Sequence, residues 1–162
     1  MDYTAFLKVL MALPAAELVR RWPWAYPILE TVHVIGLGLL FGGIFAFDLR
    51  LLGVQPTISI RRLARHLLPW VWLGFALNAL SGLLLLMSDA VEFGHNTSFK
   101  VKMVLIAVAG LNMAWFHWRI FPTVAQWDER APTPLAAKRT ALVSIALWLS
   151  VITAGRMIAY IP

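Results

Sequence analysis

The chain has 162 residues, 60% of them hydrophobic, and 14 Lys and Arg against 8 Asp and Glu give a net charge of +6. Mean hydropathy is +0.75, well above a soluble domain, where roughly 45–50% of residues are apolar, and no basic tract is long enough to point to nucleic acid. The absence of cysteine excludes disulfides, thiolate metal sites, iron–sulfur clusters and haem attached through a Cys-x-x-Cys-His motif.

The first twenty residues do not read as a cleavable signal, because Asp2 stands where a basic start is expected and Lys8 interrupts the apolar run. Residues 4–19 read as a short amphipathic helix broken near Pro14. Within a segment 1–22 it is expected to lie in the membrane interface, since about 20 apolar residues are needed to cross. Four spans follow, at about 26–47, 67–87, 101–120 and 140–161. Pro23 and Pro27 frame the start of the first, and Asp48-Leu49-Arg50 closes it, with Asp48 and Arg50 expected to anchor it to the next loop. Gly94-His95-Asn96-Thr97-Ser98 reads as a short turn before the third, and Pro122, Pro132 and Pro134 mark a polar connection before the fourth. Of eight Trp, five (Trp22, Trp24, Trp70, Trp72 and Trp118) fall near span ends, where aromatic rings favour the membrane–water boundary. The expected fold is all-α: a single membrane domain over 1–162, built as a polytopic four-helix bundle with a short N-terminal interfacial helix.

Loop charge sets the expected orientation. The connections after the first and third spans carry eight basic residues: Arg50, Arg61, Arg62, Arg65, Arg119, Arg130, Lys138 and Arg139. Six lie elsewhere: Lys8, Arg20, Arg21, Lys100, Lys102 and Arg156. This bias places the two loops in the cytoplasm and both termini in the periplasm of a bacterial inner membrane.

That topology sorts the polar residues by depth. His33 lies about one and a half to two turns inside the first span, and a titratable group there is by default a hypothesis about function. Glu30 and Gly36, three residues either side, share its helix face. The glycine leaves space for a flat macrocycle or for another helix. Lys102 and Arg156 approach the same depth from the third and fourth spans. A histidine between two cations suits a porphyrin, with iron on the imidazole and propionates on the cations. The structural alternative is that Glu30 pairs with Arg156 or Lys102 and His33 hydrogen-bonds across helices.

His66 and His117, near the inner ends of the second and third spans, are candidate ligands of a second haem if those spans pack antiparallel. They also read as interfacial histidines. His95, in the outer turn, is a candidate for the far side of an iron held by His33, or a solvated loop residue. Lys102 and His117 are fifteen residues apart, roughly 22 Å of helix, so they cannot serve one small site. Asn78 and Asn112 sit mid-span, where amides bond between helices. Gly38 and Gly42, with Ser81, Gly82 and Gly110, read as packing positions. The six Met residues (Met1, Met11, Met87, Met103, Met113 and Met157) are scattered rather than paired as a soft-metal path.

The run Pro27 to Gly53 resembles a family of small bacterial four-span proteins of uncharacterised function. The resemblance is carried by Glu30-Thr31-Val32-His33-Val34-Ile35-Gly36, Asp48-Leu49-Arg50-Leu51-Leu52-Gly53, Pro69-Trp70, Ser81-Gly82, Phe99-Lys100-Val101-Lys102, Asn112 and Ala154-Gly155-Arg156-Met157-Ile158-Ala159-Tyr160. It covers nearly the whole chain. More distantly the layout is similar to CopD-type membrane proteins and to the HemJ-type protoporphyrinogen oxidase. In that oxidase a histidine early in a span is associated with haem and a lysine at the start of a later span is required. The resemblance implies those roles for His33 and Lys102. Val32 stands where the oxidase has Leu, and its Asn-Glu-x-Pro segment has no counterpart here.

The leading expectation is a b-type haem protein, with one haem b or two, that moves electrons within or across the membrane. Its partners would be membrane lipid and a quinone or a periplasmic redox protein. The ligand set would be His33, His95, His66 and His117, with Lys102 and Arg156 on the propionates. The alternatives are a haem-dependent tetrapyrrole oxidase and a non-catalytic membrane subunit or transporter-like module. Oligomeric state stays open.

Overall fold

The structure, a computed structural model, describes residues 2–128 and 132–161. Arg130, counted above among the loop cations, lies outside them, as does Met1. Among the described residues all regular structure is helical.

Two short helices open the chain, α1 (Tyr3–Met11) and α2 (Pro14–Arg21). The break falls where proline was expected to place it. Pro14 takes the first turn of α2, where its missing N–H costs nothing. These helices also dock on the protein rather than merely lying in an interface. Tyr3 Oη donates to the Gly94 carbonyl at 3.0 Å, and Arg20 reaches back to the Met11 carbonyl at 2.7 Å.

Four long helices follow: α3 (Ala25–Leu52), α4 (Ile60–Ser88), α6 (Thr97–Trp115) and α7 (Leu135–Met157), with a short α5 (Ala90–His95) between α4 and α6. All four are long and apolar enough to cross a membrane, the third counted through Gln126. Their outer faces stay apolar, as at Val34, Leu80, Leu111 and Leu142. These are the features of a multi-pass membrane protein, and the apolar outer faces are compatible with contact to lipid.

Each long helix departs from its expected bounds for a local reason. α3 runs five residues further, to a Schellman stop: Gly53 has φ +106°, and the Gly53 and Val54 N–H groups reach the Arg50 and Leu49 carbonyls at 3.1 and 3.0 Å. α4 starts seven residues early, because the Ser59 hydroxyl caps it by accepting from the Arg62 N–H at 3.2 Å. That adds a basic first stretch carrying Arg61, Arg65 and His66, all exposed. α6 starts at Thr97 because Asn96 caps it, its side chain accepting from the Phe99 N–H at 2.9 Å. Beyond Trp115 that helix loosens into a π turn over Phe116–Ile120 and then tightens into a 3₁₀ turn over Phe121–Gln126. Pro122 accounts for the change, since its ring cannot follow a regular α turn. α7 begins just after Pro134 and ends at Met157, five residues earlier at its start than expected.

The helices pair as two hairpins. α3 packs most extensively on α4 and α6 on α7, and an α3–α7 contact joins the pairs. The expected antiparallel packing of the second and third spans is absent, because α5 separates α4 from α6 and the two do not pack on each other.

The α3–α4 crossing is backbone on backbone. A Cβ on Gly36 would lie 3.0 Å from the Gly74 carbonyl, and one on Gly74 would lie 2.6 Å from the Leu40 N–H. The space beside His33 at Gly36 is therefore taken by another helix, not by a macrocycle. Gly38 and Gly42 do not pack within the chain, since nothing lies within 4 Å of where their Cβ atoms would stand. They lie on a different face of α3 from Gly36, Leu40 and Gly43.

The apolar core gathers at the end carrying the two long connections: Leu51, Ile60, Phe116, Ile120, Val124, Trp127, Ala137 and Ala141. Arg50 clasps this loop end. Its guanidinium donates to the Ile58, Pro56 and Asp128 carbonyls at 2.5, 2.9 and 3.0 Å. The Asp128 carboxylate in turn accepts from the Ser59 hydroxyl at 2.8 Å and the Ile60 N–H at 2.5 Å. The expected anchoring role thus falls to Arg50. Asp48 instead is buried, and its Oδ2 has no hydrogen-bond partner among the described residues.

Candidate functional site

The opposite end, which carries both termini, holds the polar interior. Counting along the helices at 1.5 Å per residue, His33 lies about 12 Å from the start of α3 and Lys102 about 8 Å from the start of α6. They come from different hairpins.

His33 is half-buried and its ring lies along α4. Its Nδ1 is 3.0 Å from the Ser81 Oγ. Gly82 makes room for it: a Cβ there would stand 3.0 Å from the imidazole Cε1. The backbone beneath is tied as well, since the Asn78 amide donates to the His33 carbonyl at 2.8 Å. Asn112 does the same between α6 and α7, donating to the Thr140 carbonyl at 3.1 Å. Both mid-span amides therefore bond between helices, as their positions suggest.

Lys102 is half-buried on α6. Its chain runs along α7 at Gly155, with Nζ 3.5 Å from the place a Cβ would occupy. Among the described residues it has no ion pair or hydrogen bond. It enters the bundle from the same end as His33 and at a similar depth, and it lies against α7, the helix that also packs on α3.

The remaining candidates lie elsewhere. Arg156 is exposed and donates to the Tyr160 hydroxyl at 2.8 Å, its guanidinium 5.2 Å from that ring's centroid. Glu30 is exposed and pairs with neither cation. His95 is exposed, edge-on to Tyr3 at 5.8 Å, and borders a shallow cavity with Glu92, Asn96 and Tyr160 rather than meeting His33. His66 is exposed on the early turns of α4. His117 lies in the π turn, its Nδ1 2.9 Å from the Met113 carbonyl and its ring between Phe116 and Phe121. Because α4 and α6 do not pack, nothing in the fold brings His66 and His117 together.

Sequence reasoning passed over three residues that matter here. Ser81, read as a packing contact, is the partner of His33. Asn96, read as part of a turn, also donates to the Ile158 and Ile161 carbonyls at 3.1 and 2.7 Å and holds the C-terminal segment. An Asn just ahead of an apolar helix is an N-cap signature that could have revealed the first half of that role. Asp128 carried no local signal at all. Asp48 is buried at 5% exposure, with Oδ2 lacking any hydrogen-bond partner.

The chain matches no protein-family model, and comparison with curated proteins and with solved structures finds no similar protein.

Among the described residues no three His, Cys, Asp or Glu converge to hold a metal ion. A haem brings four nitrogen ligands of its own and asks the protein for one or two axial groups and for partners to its carboxylates. One imidazole and one ammonium that has no partner among the described residues fit that request.

Proposed function

We propose that the protein is a b-type haem-binding membrane protein that carries electrons within or across a bacterial inner membrane, its termini on the periplasmic side. The observation that carries this reading is that an imidazole from one hairpin and, from the other, an ammonium without a partner among the described residues stand half-buried at similar depth at the same end of the bundle. His33 would be the axial ligand, and Lys102 would meet a haem carboxylate. A bound haem supplies reversible one-electron chemistry. The residues around it orient and exclude: Ser81 and Gly82 set the imidazole against α4, and Gly155 lets the Lys102 stem lie flat on α7. A quinone or a periplasmic redox protein would exchange the electron. The resemblance to the protoporphyrinogen oxidase points to the same two residues.

The test is a reduced-minus-oxidised visible spectrum of detergent-purified protein, with a haemochrome count per chain. One b-type haem per chain is expected. His33→Ala should abolish the spectrum while costing only about 1 kcal/mol of stability, one hydrogen bond's worth. A protein that binds no haem, or a His33→Ala variant with the full spectrum, would overturn the reading.

A further inference from the structure

The hydrogen bonds around Ser81 assign a tautomer to His33. Ser81 is 2% exposed, so water does not complete its bonding. Its hydroxyl carries one proton. That proton is directed at its own helix, towards the Leu77 carbonyl at 2.6 Å, with the Asn78 carbonyl a second acceptor at 3.3 Å. Both are carbonyls and can only accept. The third contact of the same oxygen, 3.0 Å to His33 Nδ1, must then be donated from the ring.

We propose that Ser81 is a positioning residue that holds His33 as the Nδ1–H tautomer and leaves the Nε2 lone pair free as the reactive atom of the site. The ring's orientation agrees. A Cβ built on Gly82 meets Cε1 at 3.0 Å and Nδ1 at 3.4 Å, whereas Nε2 lies beyond 4 Å. The edge bearing Nδ1 is therefore turned to α4, and Nε2 is on the side away from it. Partners of this kind select which nitrogen binds a metal and raise its basicity. The tautomer is a property of the unliganded chain. Its use as an iron ligand rests on the haem reading above.

The experiment is nitrogen-15 NMR of the apo-protein in detergent or nanodiscs, with labelled histidine, the His33 ring signals being assigned by their loss in His33→Gln. Wild-type protein should show a protonated Nδ1 and an unprotonated Nε2. Ser81→Ala should lose that pattern, and Ser81→Thr, which keeps the hydroxyl, should restore it. If haem binds, Ser81→Ala should also weaken its retention by about 10- to 100-fold. The wild-type spectrum alone is decisive, so the result does not depend on either variant folding. A protonated Nε2 in the wild type, or a pattern unchanged in Ser81→Ala, would overturn the assignment whatever haem does. A protonated Nδ1 in a protein that binds no haem would sustain it and sink the haem reading alone.

Discussion

The two ends of the bundle are built on opposite terms. At the loop end, apolar side chains from α3, α4, α7 and the loosened end of α6 close on one another, and a buried Arg50 has a carbonyl acceptor for each of three N–H donations. At the end carrying the termini, an imidazole is held by one nitrogen only and an ammonium has no partner among the described residues. Groups fully satisfied within the chain hold it together. Groups held on one side and open on the other are where a ligand gains most, because their remaining capacity is not already used.

The difference can be broken at the loop end first. Arg50→Ala leaves three carbonyls without their donor and the α3–α4 loop unclasped from Asp128, and should cost about 3 kcal/mol, read as a lowered unfolding midpoint. The His33 ring pattern should be unchanged in the fraction that stays folded. A loss at both ends together would mean that they are not separable.

Next in size is the crossing that both ends share. Gly74→Ala drives a methyl into the α3 backbone, 2.6 Å from the Leu40 N–H, and should cost about 1–3 kcal/mol. By parting α3 from α4 it should also loosen the bond between His33 and Ser81. Stability and the histidine pattern should fall together, and separate behaviour would mean that α4 can shift without losing its hold on the ring.

Gly42→Ala sharpens the picture from the outside. Nothing within the chain lies near the added methyl, so the helix should gain about 0.5–1 kcal/mol from the lost glycine freedom. A destabilised variant would show that this face packs against a second copy, readable as a change in mass in detergent.

The smallest expected effect is one of pH, at α5. The Asp89 side chain hydrogen-bonds Glu92, and its charge adds to this, so Glu92 binds its proton above the ordinary value of 4.5. An acid raised in the folded state stabilises when protonated, so its contribution is present at low pH and is lost as pH rises through the raised value. Asp89→Asn should flatten that slope in the pH dependence of the melting temperature. Glu92 is solvent-exposed, so the change should be slight. A steeper slope in Asp89→Asn would contradict the pairing.

Length and hydropathy already announced four crossing helices and a proline break at Pro14, because both are summed along the chain and need no neighbour. His33 and Lys102 were legible for the same reason, as polar groups where the local average is apolar. Helix ends were less legible, since a Schellman glycine at Gly53 and serine and asparagine caps at Ser59 and Asn96 extend helices past the point where hydropathy falls. Pairing was not legible at all. Gly36, Gly38, Gly42 and Gly43 look alike in sequence, yet only Gly36 and Gly43 meet α4. Which of them does is set by where two backbones can approach, not by residue type. The same holds for Ser81. Its identity is local, but its role exists only because the α3–α4 crossing sets its hydroxyl 3.0 Å from a ring 48 positions earlier in the chain. Composition thus decided that this chain enters a membrane and roughly where it crosses. Only the tertiary structure decided which polar groups are spent on each other and which are left open, because a hydrogen bond depends on distance and direction that no residue carries by itself.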